Sequence, residues 1–234
     1  MNSNPELLFD NYSTNYHQTL NETLSLTGEN TTYFANQRVS WTKNKINNYF
    51  PELSIKTVMD FGCGTGDTLP IIEQKFFANK LIGVDTSLES IKVAKGNYES
   101  KKISFFESSS FNEYLSCDLV FCNGVFHHIP QEDRDMALHY IFQRLAINGV
   151  FAFWENNPWN PGTQYLMKKC PFDNDAHPIS VLQGKKLLEK NGFRLIKTSY
   201  SFIFPNSLRF LRFTERFLSS LPIGAQYLLL AKKI

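Results

Sequence analysis

The sequence predicts an α/β protein with a doubly wound sheet, and three observations carry that expectation. Short apolar runs alternate with longer helical patterns from Lys56 onward, the runs are apolar on both faces, and a glycine-rich loop stands directly between the first run and the helix after it. The runs are TVMDF (57–61), KLIGVD (80–85), ISFFE (103–107), DLVFCN (118–123) and GVFAFW (149–154), with helical stretches at 66–77, 87–98 and 132–146. A further helix follows, ISVLQGKKLLEKNG (179–192), with Gly192 as its C-cap. A strand near FRLIKTSYSFIF, a helix near SLRFLRFTERFLSSL and a last strand, AQYLLLAKK, complete the pattern. Two strands therefore follow the fifth, seven in all.

Composition bounds the answer. With 234 residues the chain has room for one large domain, and 42% hydrophobic with 20% charged residues is ordinary globular usage. A net charge of +2 gives no field that argues for nucleic acid. Cys63, Cys117, Cys122 and Cys170 form no CxxC pair, which speaks against a zinc site or a disulfide framework. The start MNSNPELLFDNY does not read as a secretory signal, and no apolar run approaches the roughly 20 residues of a membrane span. The expectation is a cytoplasmic protein with reduced thiols.

The strongest local signal is MDFGCGTGDT (59–68), which ends a strand and opens a helix. Gly62, Gly64 and Gly66 permit a tight turn and close approach of a ligand to the backbone, and the following helix presents unpaired N–H groups to an anion. Asp60 places a carboxylate at the strand end. A dinucleotide fingerprint would need glycine at 67, where Asp67 stands. Asp85 closes the second strand about 20 residues on, the position from which a carboxylate accepts from two ribose hydroxyls; its plainer use is to cap the next helix, a task open also to Thr86 and Ser87.

The spacing D-x-G-x-G-x-G resembles the first motif of class I S-adenosylmethionine-dependent methyltransferases. LIGVDTSLES (81–90), with its acidic residue, and CDLVFCNGVFHHIPQEDRD (117–135), which resembles their fourth-strand segment, follow in order, so that three matched segments cover roughly residues 56–156. The resemblance implies a Rossmann-like sheet of seven strands, mainly parallel with an antiparallel last strand, and S-adenosylmethionine as cofactor. It implies cofactor contacts from Asp60, Gly62, Gly64, Gly66, Asp85 and Thr86, and from Asn123 and Gly124 beside the methionine portion. Such enzymes commonly set an acidic residue near the adenine; here Ser108, Ser109 and Ser110 occupy the place, with Glu107 as an outside candidate. ENNPWNP and LPIGAQY are similar to methyltransferases of cell-envelope saccharide pathways, and the polar lead resembles the leading helices of small-molecule and lipid-quinone methyltransferases. Residues 1–55 are accordingly expected to form a helical lid from which Tyr12, Tyr16 and Arg38 reach the cofactor.

A general base is needed where the acceptor must lose a proton, and an unperturbed histidine suits neutral pH. His127 and His128 border the expected methyl position, and His177 lies in the insertion expected at about 155–178. The alternative use of the His pair is to cap the next helix. Consecutive histidines rarely converge on one ion, so no metal is expected. Glu155, Asn156, Asn157 and Trp159 leave the fifth strand beside the fourth, where uncharged amides and an aromatic face could orient an acceptor; Asn and Pro are also ordinary turn residues. In 207–222, Phe210, Phe213, Phe217 and Leu221 align on one helical face beside Arg209, Arg212 and Arg216. That pattern covers a sheet or, in a second reading, meets a membrane surface or an anionic lipid-linked substrate.

The expected function is methyl transfer to an oxygen, nitrogen or carbon of a small-molecule or lipid-linked acceptor. Nucleic acid is disfavoured because NGVF stands where an NPPY or DPPY tetrad would be. The rivals are a nicotinamide-dependent oxidoreductase, which wants glycine at 67 and a parallel final strand, and a cofactor-binding scaffold without turnover.

Overall fold

A computed structural model describes residues 16–111, 115–173 and 175–234. Seven strands form one sheet in the order β3-β2-β1-β4-β5-β7-β6. They are β1 (Thr57–Phe61), β2 (Lys80–Asp85), β3 (Ile103–Glu107), β4 (Cys117–Asn123), β5 (Leu145–Asn156), β6 (Phe193–Ser201) and β7 (Gln226–Lys233). The first five run parallel; β7 pairs antiparallel with both β5 and β6. An antiparallel final strand is what the methyltransferase resemblance implies, and the parallel one of a nicotinamide enzyme is not found.

Eight α-helices accompany the strands among the described residues: α1 (Tyr16–Leu24), α2 (Thr31–Tyr49), α3 (Thr68–Phe76), α4 (Leu88–Tyr98), α5 (Arg134–Arg144), α6 (Pro161–Lys169), α7 (Val181–Lys190) and the short α8 (Glu215–Leu218). Their starts follow from local chemistry. Asn30, Ser87, Asn160 and Ser180 each accept from a backbone N–H of the first turn, and Ser180 with Gln183 completes a capping box.

Alternation along the strands divides the core into two layers. Met59, Ile82, Val120, Phe151, Phe153 and Leu229 meet α5 and α7 on one face. Val58, Leu81, Leu119, Phe121, Trp154 and Leu228 meet α2, α3 and α4 on the other. Trp154 is fully buried, and its indole N–H donates to Thr42 Oγ1 at 2.9 Å. Val39 and Ile46 of α2 belong to the same layer. The expected lid therefore differs in part: α2 is a wall of the sheet, and α1 is the lead helix that reaches the cavity described below. Tyr12 lies outside the described residues, and Tyr16 enters only as the first residue of α1.

The largest departure is the C-terminal arm. Asn206–Thr214 forms a 3-10 helix with a kink at Leu208, and only α8 is α-helical, so no single amphipathic helix spans 207–222. The segment also covers no sheet face, because Phe210, Phe213 and Phe217 are each at least 68% exposed. No helix among the described residues is long and apolar enough to cross a membrane.

Candidate functional site

Parallel strands β1, β2 and β4 deliver their carboxyl ends to one rim, where the chain crosses from strand to helix. A cavity of about 990 Å³ opens there. It is lined by Gly62, Gly64, Asp85, Thr86, Ser108, Ser109, Asn123 and Gly124, and also by His127, His128, Cys170 and Asp173, with Leu20 and Leu24 of α1.

The glycine loop needs its residue type at specific points. Gly62 has φ +73°, and an added Cβ would lie 2.3 Å from Val125 Cγ2. Gly64 has φ +52°, and an added Cβ would meet nothing within 4 Å, so it would enter the space a ligand requires. Asp85 is held by the Gly64 N–H at 2.8 Å and the Ser87 N–H at 3.0 Å, one to each carboxylate oxygen, which fixes it at the rim. Asn123 Oδ1 is buried and receives no hydrogen bond, an acceptor left for a bound group. An open cradle, an anchored carboxylate and an orphaned amide oxygen suit a ligand carrying a ribose and an ammonium.

Several expected cofactor residues lie elsewhere. Asp60 is buried behind the loop and does not line the cavity; burial first, then the Asp85 charge, pushes its carboxyl up to about 8, so it is a neutral group and not the charge expected at the strand end. Gly66 also stands off the cavity, where an added Cβ would strike the Phe105 ring. Glu107 turns back to accept from the Ser109 N–H at 3.0 Å. Arg38 does line the cavity: its Nε donates to Gln226 Oε1 at 2.8 Å, and Gln226 donates to Asn156 Oδ1 at 2.9 Å. Phe34 and Phe202 flank its guanidinium. Phe202 holds φ +61°, a left-handed conformation unusual for a bulky residue, where the chain leaves β6.

The turn after β4 is fastened from beneath by β5. Asn123 pairs with Trp154 across the two strands, so Glu155 emerges directly below residues 125–127. Its Oε1 accepts from the Phe126 N–H at 2.9 Å, and its Oε2 lies 2.6 Å from His127 Nδ1. Both side chains are almost fully buried. Burial opposes a charge on His127, but Glu155 and Asp173 outweigh it and push the imidazole up to about 10. His128 goes the other way, down to about 4, through burial and then the neighbouring His127 charge.

Asp173 comes from the insertion, on a 3-10 turn (Pro171–Asp173) anchored by buried Phe172. Its Oδ1 lies 3.5 Å from His127 Nε2 and 3.6 Å from His128 Nε2. Main-chain bonds stitch the insertion to the histidine turn: the His177 N–H donates to His127 O at 2.7 Å, and Arg134 donates to both Ile129 O and His177 O. The His177 side chain is exposed and outside the cavity, which corrects its expected place over the acceptor. Consecutive histidines diverge on regular structure, but on this turn the two rings stand 4.1 Å apart.

WENNPWNP divides its residues between site and scaffold. Of the four expected acceptor contacts, only Asn156 lines the cavity. Glu155 is occupied beneath His127, and Asn157 is fully buried, donating to Pro222 O and Gly224 O and accepting from the Trp159 N–H. Trp159 is half exposed and outside the cavity. Asn160 caps α6 ahead of Pro161, which suits a first helical position because its missing N–H is not needed there. Asn157 closes the turn and is turned away from the cavity, whereas Asn156 and Asn160 line it.

Asp173, Cys170, Thr163, Gln226 and Glu29, which pairs with Arg212 at 2.7 Å, are cavity residues that sequence reasoning missed. FDNDAHP held a signal for Asp173, an acidic cluster beside the histidine already singled out; Gln226 and Thr163 had none.

Residues 59–151 match the family model described as a methyltransferase domain. Trans-aconitate 2-methyltransferase of Rhodopseudomonas palustris (strain BisB5) is 24% identical over 144 residues, 61% of this chain and 56% of that protein. The protein of the same name from Azoarcus sp. (strain BH72) is 24% identical over 115 residues, 49% of this chain and 45% of that protein. The chain thus spans about half the length of the curated relatives it matches. Among solved structures, an S-adenosylmethionine-dependent methyltransferase from Mesorhizobium loti superposes with TM-score 0.58 at 18% identity, covering 81% of this chain and 96% of that one. Magnesium protoporphyrin IX methyltransferase from Synechocystis PCC 6803, solved with bound S-adenosylmethionine, superposes with TM-score 0.60 at 14% identity, covering 99% and 98%.

Proposed function

We propose that this chain, a methyltransferase domain at residues 59–151 on the class I fold, transfers a methyl group from S-adenosylmethionine to an oxygen, nitrogen or carbon of a small-molecule acceptor. One observation carries the reading: a single cavity is lined both by the glycine loop, Asp85 and Asn123 and by His127, His128 and Asp173. When bound, the cofactor supplies a methyl on a positively charged sulfur. Asp85, fixed at the rim by the Gly64 and Ser87 N–H groups, accepts from the ribose hydroxyls. Asn123 Oδ1 accepts from the ammonium, and Arg38, steadied by Gln226, faces the carboxylate. Ser108 and Ser109 border the adenine.

The His127, His128 and Asp173 cluster receives the nucleophilic atom of the acceptor. Holding that atom and the methyl in near-attack geometry contributes about 7–11 kcal/mol, more than any single proton transfer. Acidic metabolites, the class named by the curated relatives, are the first acceptors to test. Calorimetry with S-adenosylmethionine, its demethylated product and NADH tests the cofactor; binding of NADH alone would overturn the reading. Methyl-labelled cofactor incubated with soluble and lipid fractions of a cell extract identifies the acceptor class.

A second reading, a lipid-linked acceptor met at a membrane surface, is favoured by the C-terminal arm. Phe210, Phe213 and Phe217 are exposed beside exposed Arg209 and Arg216. The one acid of residues 205–224, Glu215, is turned inward to accept from the Ile203 and Phe204 N–H groups. Phe204, Pro205 and Arg212 carry this surface to the cavity mouth. Exposed aromatics with unopposed cations suit an anionic bilayer. Co-sedimentation with phosphatidylglycerol vesicles but not phosphatidylcholine vesicles is the expected result, and equal partition to both or to neither removes this reading.

A further inference from the structure

We infer that His127, His128 and Asp173 form a binding site for a divalent transition-metal cation, with open coordination positions facing the acceptor end of the cavity. One ligand atom from each of His127, His128 and Asp173 lies within 4.8 Å of the other two. Each histidine nitrogen stands 3.5 or 3.6 Å from the same carboxylate oxygen. Charge-assisted hydrogen bonds run at about 2.7–2.9 Å, so these atoms are gathered without being bonded to each other at full strength. Metal bonds of about 2.0–2.1 Å in tetrahedral geometry put neighbouring ligand atoms ~3.4 Å apart, close to the two spacings seen. Two of the three edges thus have the length that a chelated ion sets, and the third is no longer than 4.8 Å.

The turn explains how neighbours in sequence can chelate. The His128 N–H bonds to Val125 O at 3.0 Å, so residues 125–128 form a tight hydrogen-bonded turn. Side chains on such a turn do not alternate between opposite faces as they do along a strand. Glu155 on Nδ1 of His127 then leaves Nε2 as its outward atom, the carboxylate–histidine support that metal-ligating imidazoles usually have, and a cation bound there displaces the Nε2 proton of the metal-free protein to solvent. The third ligand is fixed independently, by buried Phe172 and by the main-chain bond between His177 and His127. All three ligands line the cavity, so an incoming molecule would complete the coordination.

Two imidazoles and one carboxylate suit first-row transition metals better than calcium or magnesium, which prefer oxygen donors. The role of the ion rests on reading the cavity as the acceptor site. An acceptor hydroxyl or carboxylate oxygen in an open position would be oriented by the cation, and a hydroxyl would lose its proton more readily. Metal binding itself rests on the geometry alone.

Cobalt(II) is the probe. The full chain, stripped with a chelator, is titrated with Co²⁺ and followed by its visible ligand-field absorption. One equivalent is expected to saturate a spectrum of low coordination number. His128→Ala and Asp173→Ala are each expected to weaken binding at least tenfold, Glu155→Gln about 10–100-fold as a supporting group, and His177→Ala not at all. Circular dichroism of every variant confirms folding, and His128→Asn replaces His128→Ala if the latter unfolds. Absence of stoichiometric binding, or equal affinity in wild type and in folded His128 and Asp173 variants, overturns the inference. Calorimetry of the metal-free chain with S-adenosylhomocysteine separates the two readings: cofactor binding without Co²⁺ binding removes the metal site alone, and Co²⁺ binding without cofactor binding leaves the site and removes methyl transfer.

Discussion

Substituting alanine at Gly62 and at Gly64 should separate the fold from the cofactor, although both residues belong to the same loop, residues 62–67. Both hold positive φ, at +73° and +52°, so each alanine carries left-handed strain of about 1–2 kcal/mol. At Gly62 the new Cβ would also lie 2.3 and 2.9 Å from the two methyls of Val125, a branched side chain with no flexible end to move aside. Overpacking of that kind adds about 1–3 kcal/mol, for a total of about 2–5 kcal/mol at Gly62 against about 1–2 kcal/mol at Gly64. Urea unfolding followed by circular dichroism reads the difference, and Val125→Ala added to Gly62→Ala should recover much of the overpacking cost. Cofactor binding identifies the other residue. The Gly64→Ala methyl meets no protein atom within 4 Å and stands in the cavity wall, so affinity for S-adenosylhomocysteine should fall at least about tenfold, or ~1.4 kcal/mol. Equal stability of the two variants, or unchanged affinity in Gly64→Ala, would refute the assignment of one glycine to packing and the other to the ligand.

Four further outcomes are expected. Asp60 has a folded pKa of about 8 against an ordinary 3.8, so the folded state holds the extra proton. Its stabilising contribution is complete below pH 3.8 and is lost as pH rises through 8, at about 1.4 kcal/mol per pH unit between pH 5 and 7; urea midpoints of Asp60→Asn should lack that fall. Glu155→Gln leaves the buried His127 charge without its nearest counter-ion and should cost about 3–5 kcal/mol in the same unfolding assay. Asn157→Ala strands the Pro222 and Gly224 carbonyls, with an expected loss of about 1–3 kcal/mol measured as a lowered Tm. Changing Phe210, Phe213 and Phe217 together to Ser should leave Tm nearly unchanged, because all three are exposed, and should abolish any binding to anionic vesicles.

The C-terminal arm shows where one-dimensional pattern and three-dimensional packing part company. Phe210, Phe213 and Phe217 have the spacing of a buried helical face, and periodicity alone cannot tell a face that covers a sheet from one that covers nothing. Both faces of the sheet are already filled, by α5 and α7 on one side and α2, α3 and α4 on the other, so no surface is left for the arm to cover. The polar lead is the reverse case. Its composition reads as a surface lid, yet Val39, Thr42 and Ile46 are buried against the sheet, with Thr42 meeting Trp154 far away in sequence.

The sequence by itself determined the alternation of strands and helices, the glycine loop and Asp85 at its rim, because these depend on period, backbone freedom and short spacing, which are local properties of a chain. The structure decided which polar residues face the cavity. Glu155, Asn156 and Asn157 are consecutive and all polar, yet one supports His127, one lines the cavity and one is enclosed by the carbonyls of a distant loop. Asp173 joins His127 only because parallel pairing of β4 with β5 brings the insertion back over the turn. Burial and partners of this kind are set by contacts across long sequence separations, and so they, with the opposite protonation of the two histidines, belong to the tertiary structure.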